Sequence, residues 1–418
     1  MTLALFLAYL ATVAAGFWLN ALNLRHLRRY GNTVPAGFEG TIDPETLAKT
    51  TAYTLAKSRQ DIIESIFDNL LLVIFLFCGV LVVYDRWISG LTGSFIATGV
   101  LFFIILTFLQ TILSIPFGLY DTFRIENRFG FNTMGPGMWF ADLLKSTAVA
   151  MLLLAFVTAG GFSIVRLSPE YWWLWVWVFY SAFSVFMMYL SPYVIEPMFN
   201  KFEPVQEEGL EDRIRALMAR TGIRVSRVMQ MDASRRSRHS NAYFTGIGKV
   251  KRIVLYDTLI RQMTHDEVLA VLAHEVGHWK KGHVWKRLAV AEAGGLASCY
   301  IAYRLIEWGG LSGLLRMEHA SFAAQLLILA FLGAIAAFPV TPLFNWLSRR
   351  RERVADRFAA GLTGTPDALA SALIKLSSEN LSNLHPHPLY ARFYYSHPQV
   401  VERVKVLNAM AETVRDKI

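Results

Sequence analysis

The sequence predicts a mainly α integral-membrane fold, with seven transmembrane helices and one polar α+β domain set between the fifth and sixth. Three observations lead there. Hydrophobic residues make up 54% of the 418 residues, charged residues only 17%, and mean hydropathy is +0.37. Long charge-free runs recur along the chain. Between two of them, residues 196–287 are polar and carry the periodicities of short helices and strands. That composition excludes an ordinary soluble protein. The net charge of +9 fits loop Lys and Arg beside anionic lipid. Cys78 and Cys299 each sit in apolar sequence, which argues against a disulfide framework and against a cysteine-rich metal site.

The first span is residues 1–24, charge-free and followed at once by Arg25, Arg28 and Arg29. A secretory signal carries its positive charge before the apolar core, so this reads as an uncleaved span with its N-terminus outside. Further runs are Asn69–Tyr84, extended by residues from Ile62 onward, then Trp87–Tyr120, Ser146–Val165, Tyr171–Ile195 and Ala320–Ser348. As helices most are long enough to cross about 30 Å of hydrocarbon. Leu288–Tyr303 is apolar except for Glu292 and is read as the sixth of seven spans, with Glu292 facing the bundle interior or a water-filled cavity. The segments after spans one, three, five and seven then hold most of the Lys and Arg, which places them on the cytoplasmic side. Trp172, Trp173, Trp175 and Trp177 cluster at the outer end of span five as an interfacial belt.

The domains expected are 1–195 with spans one to five, 196–287 as the polar domain, 288–348 with spans six and seven, and 349–418 as a charged helical tail. In the polar domain Leu210, Ile214 and Leu217 mark an amphipathic helix closed by Thr221-Gly222. Strands are expected over Arg224–Met231, Ser240–Gly246 and Arg252–Tyr256, with Gly246 and Gly248 in a hairpin turn. The basic loop Ser234–His239 has no interleaved aromatic residue, so it is read as solvated or lipid-facing and no nucleic-acid partner is expected.

Thr264 with Glu267 forms a capping box and opens a helix that is expected to run on toward span six. That helix carries His274-Glu275-Val276-Gly277-His278. Residues i and i+4 share a helix face, so the two imidazoles can meet one zinc ion while Glu275 reaches a water beside it. A catalytic zinc has three protein ligands, so a third must come from elsewhere. It must lie an even number of crossings away, which admits the tail and excludes His319. In the tail Glu352 and Asp356 are four apart, so that one can bind the ion while the other hydrogen-bonds a ligating imidazole. His283 is another candidate ligand, but it is five residues past His278 and off the shared face.

Several of these segments together resemble the Ste24 family of integral-membrane CAAX prenyl proteases within the M48 metallopeptidases. They are Ser240–Gly246, the His274–His278 motif, Ser348–Asp356, Ser396-His397-Pro398 and Glu402-Arg403. The resemblance covers nearly the whole chain. It implies a zincin-like α+β metalloprotease domain holding one zinc ion through His274, His278 and Glu352. It further implies Asp356 behind a zinc histidine, Glu275 as general base, His397 on the oxyanion and Arg403 in support. Asn241, Tyr243 and Phe244 would lie on the strand to which an extended peptide adds. A large chamber inside the bundle, a peptide or protein substrate with an isoprenylated CAAX end, and contact with membrane lipid are implied as well. The implied location is an inner membrane, or an endoplasmic reticulum or nuclear envelope membrane, with the site cytoplasmic. Gln399 stands where the family often has a second proline.

Two rival readings use fewer of these residues. A quality-control metalloprotease of the HtpX type also carries HExxH but is usually shorter, with fewer spans. A membrane transporter or scaffold accounts for Glu292 and leaves His274, Glu275, His278 and Glu352 as coincidence.

Overall fold

The computed structural model describes residues 1–245 and 250–416. The expected turn glycines Gly246 and Gly248 lie outside the described residues. Helix α1 is Thr2–Tyr30 and α2 is Pro44–Phe77, whose start is capped by the Asp43 carboxylate on the Thr46 amide. Helix α3, Val80–Leu91, follows after a break at Cys78-Gly79, where Gly79 takes φ +83° and the axis turns by 67°. Helix α4 is Phe95–Tyr120 and continues through a π-turn, Asp121–Glu126, to Phe129. Helices α5, Pro136–Leu167, and α6, Trp172–Leu190, follow, the latter extended to Phe199.

Two expectations are corrected here. The span expected at Asn69–Tyr84 is a bent pair, α2 and α3. The charge-free run Trp87–Tyr120 is shared between α3 and α4, because Gly93 and the Ser94 N-cap end one helix and start the next. Neither junction carries a charge, so hydropathy passes through both.

Five of the described helices are long and apolar enough to cross a membrane, or six if the bent pair counts as one span. The five include α1, α4, α5, α6 and the run Phe322–Thr363. That run holds α11, Phe322–Ala337, and α12, Thr341–Thr363, joined by a 3-10 turn. The segment around Glu292 lies in α10, His283–Glu307, which packs on α6 but does not pass that test. Ser181 and Ser184 of α6 hydrogen-bond the Glu292 carboxylate, and the Trp177 indole N–H donates to the Glu292 carbonyl at 3.0 Å. The Glu292 carboxylate is thus satisfied by its neighbour helix.

The polar part begins with β1, Phe202–Pro204, then α7, Leu210–Thr221, and β2, Arg224–Met231. Strands β3, Ala242–Thr245, and β4, Val250–Tyr256, complete a sheet in the order β1-β2-β4-β3. β2 and β4 are parallel; β1 and β3 run antiparallel to their neighbours. β3 is therefore an edge strand. Helix α8, Asp257–Gln262, leads to α9, His265–Lys280. α9 does not run on toward the membrane: Gly282, at φ +66°, separates it from α10. After α12 come α13, Pro366–Glu379, α14, Pro388–Tyr394, and α15, Val400–Arg415.

One core joins these parts. Leu210, Ile214, Ile253, Leu255, Val268, Leu272, Leu373, Val404 and Leu407 pack together, and Phe38, Ile42 and Leu47 from before and within α2 pack with them. The early loop therefore belongs to the core of the polar domain. Helix α9 is central to it. Thr264 accepts from the Glu267 amide and Glu267 accepts from the Thr264 amide, so the expected capping box is complete. The same carboxylate accepts from Ser371 at 2.6 Å and Lys375 at 2.7 Å, which ties the start of α9 to α13.

Helices α9 and α12 cross closely at Gly277. A Cβ there would stand 3.1 Å from Ala355 Cα and 3.2 Å from Ala355 O. Gly277→Val is expected to cost about 1–3 kcal/mol by overpacking and to lower bound metal with it. Gly361→Ala, where a Cβ meets nothing within 4 Å, is expected to be neutral or stabilising. Thermal unfolding and metal analysis of both variants check this.

Burial opposes the charge on Glu267, but Lys375, Ser371 and the Thr264 amide outweigh it and hold its carboxyl below the usual glutamate value. Its contribution to stability is thus present above the unfolded value of about 4.3 and lost as pH falls below that. Glu267→Gln should show a smaller loss of melting temperature than the native chain when pH is taken from about 5 toward about 3.

Candidate metal centre

His274 and His278 are one turn apart on α9, and Glu352 faces them from α12. The two Nε2 atoms are 3.2 Å apart. His274 Nε2 lies 3.2 Å from Glu352 Oε2, and His278 Nε2 lies 3.3 Å from Glu352 Oε1. These three residues could hold a metal ion, since one ligand atom from each falls within 4.8 Å of the others. A tetrahedral ion bound at about 2.0–2.1 Å would keep its donors about 3.3 Å apart, which is the spacing found. Glu352 Oε2 is buried without an aligned hydrogen bond, although His397 Nδ1 lies 2.9 Å away. An acceptor that is buried and unsatisfied, facing two imidazoles, is a donor set for a cation.

Each imidazole has a partner behind it. His274 Nδ1 lies 2.8 Å from Asp356 Oδ1, and Asp356 is in turn clamped by Arg403 through Nε at 2.9 Å and Nη2 at 2.6 Å. Arg403 is therefore buried behind His274 and not in the open part of the site. Burial opposes protonation of His274, but the bonds to Asp356 and Glu352 outweigh it and raise this imidazole to about 9. The pocket favours positive charge. His278 Nδ1 lies 3.2 Å from His283 Nδ1. His283 is buried, and burial with the neighbouring His278 pushes it down to about 4. A neutral His283 can accept the His278 N–H. It is too far along the chain to share the ligand face, but the turn at Gly282 folds it back behind His278.

Glu275 is half-buried at the mouth, and among the described residues nothing hydrogen-bonds its carboxylate. His397, in the turn between α14 and α15, is largely exposed, with its ring beside Glu352. The turn is held by α12, where Asn345 donates to the Phe393 carbonyl at 2.6 Å and Arg349 to the Tyr395 carbonyl.

The edge strand lies alongside α9. Asn241 stands just before β3, its carbonyl accepting from the Tyr256 amide of β4 at 3.0 Å. The Tyr243 hydroxyl donates to Glu196 at 2.7 Å. Phe244 turns its ring into the core, so what it offers to the free edge is its main chain.

Comparison with known proteins bears directly on this centre. A family model described as CAAX prenyl protease N-terminal, five membrane helices, matches residues 23–201, and one for peptidase family M48 matches residues 204–411. The chain belongs to the M48 peptidase family. It is a membrane metalloendopeptidase. It is 34% identical to CAAX prenyl protease 1 homolog of Arabidopsis thaliana, over 90% of each chain. It is 30% identical to CAAX prenyl protease 1 of Saccharomyces cerevisiae, over 94% of this chain and 92% of the other. The crystal structure of S. mikatae Ste24p superposes with a TM-score of 0.88 at 27% identity, covering 97% of this chain and 99% of that one. Membership covers both the spans and the metal centre, which a transporter reading does not.

Asp356→Asn and His283→Phe each remove a partner behind one imidazole. Both are expected to weaken metal affinity about 10- to 100-fold, read by chelator competition, while Glu352 and both histidines remain.

Proposed function

We infer that the chain is a zinc-dependent endopeptidase that cleaves near the C-terminus of isoprenylated CAAX proteins. The observation that carries the zinc reading is the His274–His278–Glu352 donor set at tetrahedral spacing with Glu275 free beside it. Two imidazoles and a carboxylate suit zinc among the common ions. The substrate rests on the names of the relatives, CAAX prenyl protease 1 in plant and yeast.

When bound, the ion supplies Lewis-acid polarisation of the scissile carbonyl and lowers the pKa of an attacking water. The chain's own groups do the rest. The peptide pairs its main chain with the free edge of β3, using the backbone of Asn241, Tyr243 and Phe244. Glu275 takes the proton of the attacking water and delivers it to the leaving amine. His397 donates to the developing oxyanion. Asp356, clamped by Arg403, and His283 keep each imidazole in one tautomer.

Seven spans complete the reading, with residues 288–303 of α10 as the sixth. What supports this is the length of the helix and the hydrogen bonds of Glu292 to Ser181 and Ser184 of α6. The N-terminus then lies outside and the metal centre on the cytoplasmic side, in keeping with the Lys and Arg distribution.

Farnesylated and unmodified CAAX peptides, each with and without a chelator, test the proposal. Chelator-sensitive cleavage of the farnesylated peptide is expected; cleavage of neither peptide would remove the substrate reading. Glu275→Gln should keep its zinc and lose turnover by at least about a hundredfold. Glu352→Ala should instead lose zinc itself, read by elemental analysis, and loss of His397 should slow turnover about a hundredfold or more with zinc retained.

A further inference from the structure

A second cavity lies away from the metal centre. It is a groove of about 960 Å³ between α2 and the end of α4 with its π-turn. Three arginines line it, Arg59 from α2 and Arg124 and Arg128 from the π-turn side. None of the three has a carboxylate within ion-pair distance among the described residues. Of the acids near them in sequence, Asp61 lines a separate cavity, and Asp121 and Glu126, which flank Arg124, are engaged elsewhere. Lys57 holds Asp121 at 2.6 Å and Glu126 at 3.4 Å, and the Tyr53 hydroxyl donates to Glu126 at 2.7 Å. Those groups use a different face of α2, so the groove keeps three uncompensated positive charges.

The other half of the wall is apolar, with Ile63 and Phe117. Arg59 and Ile63 are four residues apart, about 6 Å along a helix axis. Beyond Ile63 the same helix exposes Ile66 and Leu70, and α4 exposes Ile112 and Leu113. The groove thus passes within one helical turn from a cationic floor to exposed apolar surface on α2 and α4. Gln60, also on its wall, is buried; its Nε2 donates to the Phe117 carbonyl at 2.9 Å, while its Oε1 has no partner.

We propose that this groove binds an anionic phospholipid, with phosphate on Arg59, Arg124 and Arg128 and an acyl chain along Ile63 and Phe117. Charge complementarity and continuity with the exposed apolar surface select this occupant. Basic pockets between transmembrane helices at the membrane surface bind such headgroups. A zwitterionic lipid leaves the excess charge uncompensated, and a soluble phosphate leaves the apolar wall bare.

The test is native mass spectrometry of the full-length protein in neutral detergent, titrated with phosphatidylglycerol, phosphatidylcholine and glycerol 3-phosphate. Phosphatidylglycerol is expected to bind at least about tenfold more tightly than phosphatidylcholine, and glycerol 3-phosphate not to compete. The preference should fall about twofold for each arginine replaced by alanine, so that it is nearly lost in the triple variant, and persist when all three are lysine. Retained chelator-sensitive peptidase activity shows that a variant is folded. If the triple alanine variant does not fold, Arg124→Glu alone reads the same preference, which should then fall at least about fivefold. Equal binding of the two lipids, an unchanged preference in the folded alanine variant or in Arg124→Glu, or competition by glycerol 3-phosphate overturns the proposal.

Discussion

The crossing of α9 over α12 at Gly277 and Ala355 is the constraint on which the metal centre depends. Two helices can approach this closely only where one of them has no side chain. The glycine lies between the two histidines of the motif, so the closest backbone contact falls beside the ligands themselves. Once the axes are this near, Glu352, about one turn before Ala355, must face His274 and His278. A larger residue at 277 would part the helices and leave the glutamate and the imidazoles facing a gap. The capping box at Thr264 and the Glu267 link to α13 then fix how far along its axis α9 presents the motif.

Helix α12 carries most of the remaining organisation on a single stripe. Asn345, Arg349, Glu352, Arg353 and Asp356 recur at three- and four-residue intervals, so they share a face. From that face Asn345 and Arg349 hold the turn before His397, Glu352 meets His397 itself, Arg353 binds Glu402, and Asp356 binds Arg403. The C-terminal segment is thus placed by one helix, residue by residue. The buried Asp356–Arg403 pair is costly to desolvate, and losing one partner costs about 3–5 kcal/mol because the other charge is left behind. Such a pair serves less for net stability than to orient His274, which shares the same carboxylate oxygen.

The parts of the site that were legible in the sequence are those set by short spacing. His274 and His278 at i and i+4, Thr264 and Glu267 as a capping box, and Glu352 with Asp356 all follow from helix geometry. The assignment of ligand to Glu352 and partner to Asp356 needed the family resemblance, since spacing alone treats the two carboxylates alike. What escaped was set by turns and by distant packing. The Gly79 bend and the Gly282 turn are single residues in the left-handed region, and no residue period marks either. The latter hid His283, because a residue off the ligand face is brought back only when the helix ends. β1 has three residues and no period to detect. Phe38 and Leu47 lie more than 150 residues from most of their core partners, and no local pattern reports that.

The continuity of α11 and α12 gives the arrangement a further consequence. The 3-10 turn at Phe338–Val340 joins the two without a loop, so the metal-facing stripe is a direct extension of a membrane span. On the other side α10 leaves the metal centre at His283 and packs on α6. The two helices that flank the ligands, α10 and α12, therefore both lead from the centre into the bundle. A soluble metallopeptidase can place its ligands on any rigid scaffold. Here the scaffold is the bundle itself, and the catalytic groups are held at its rim by residues one to three turns from apolar, lipid-length sequence. If the substrate is lipid-anchored, as proposed above, this placement lets it reach Glu275 and His397 while its anchor stays in the bilayer, which a centre borne on a mobile tether could not ensure.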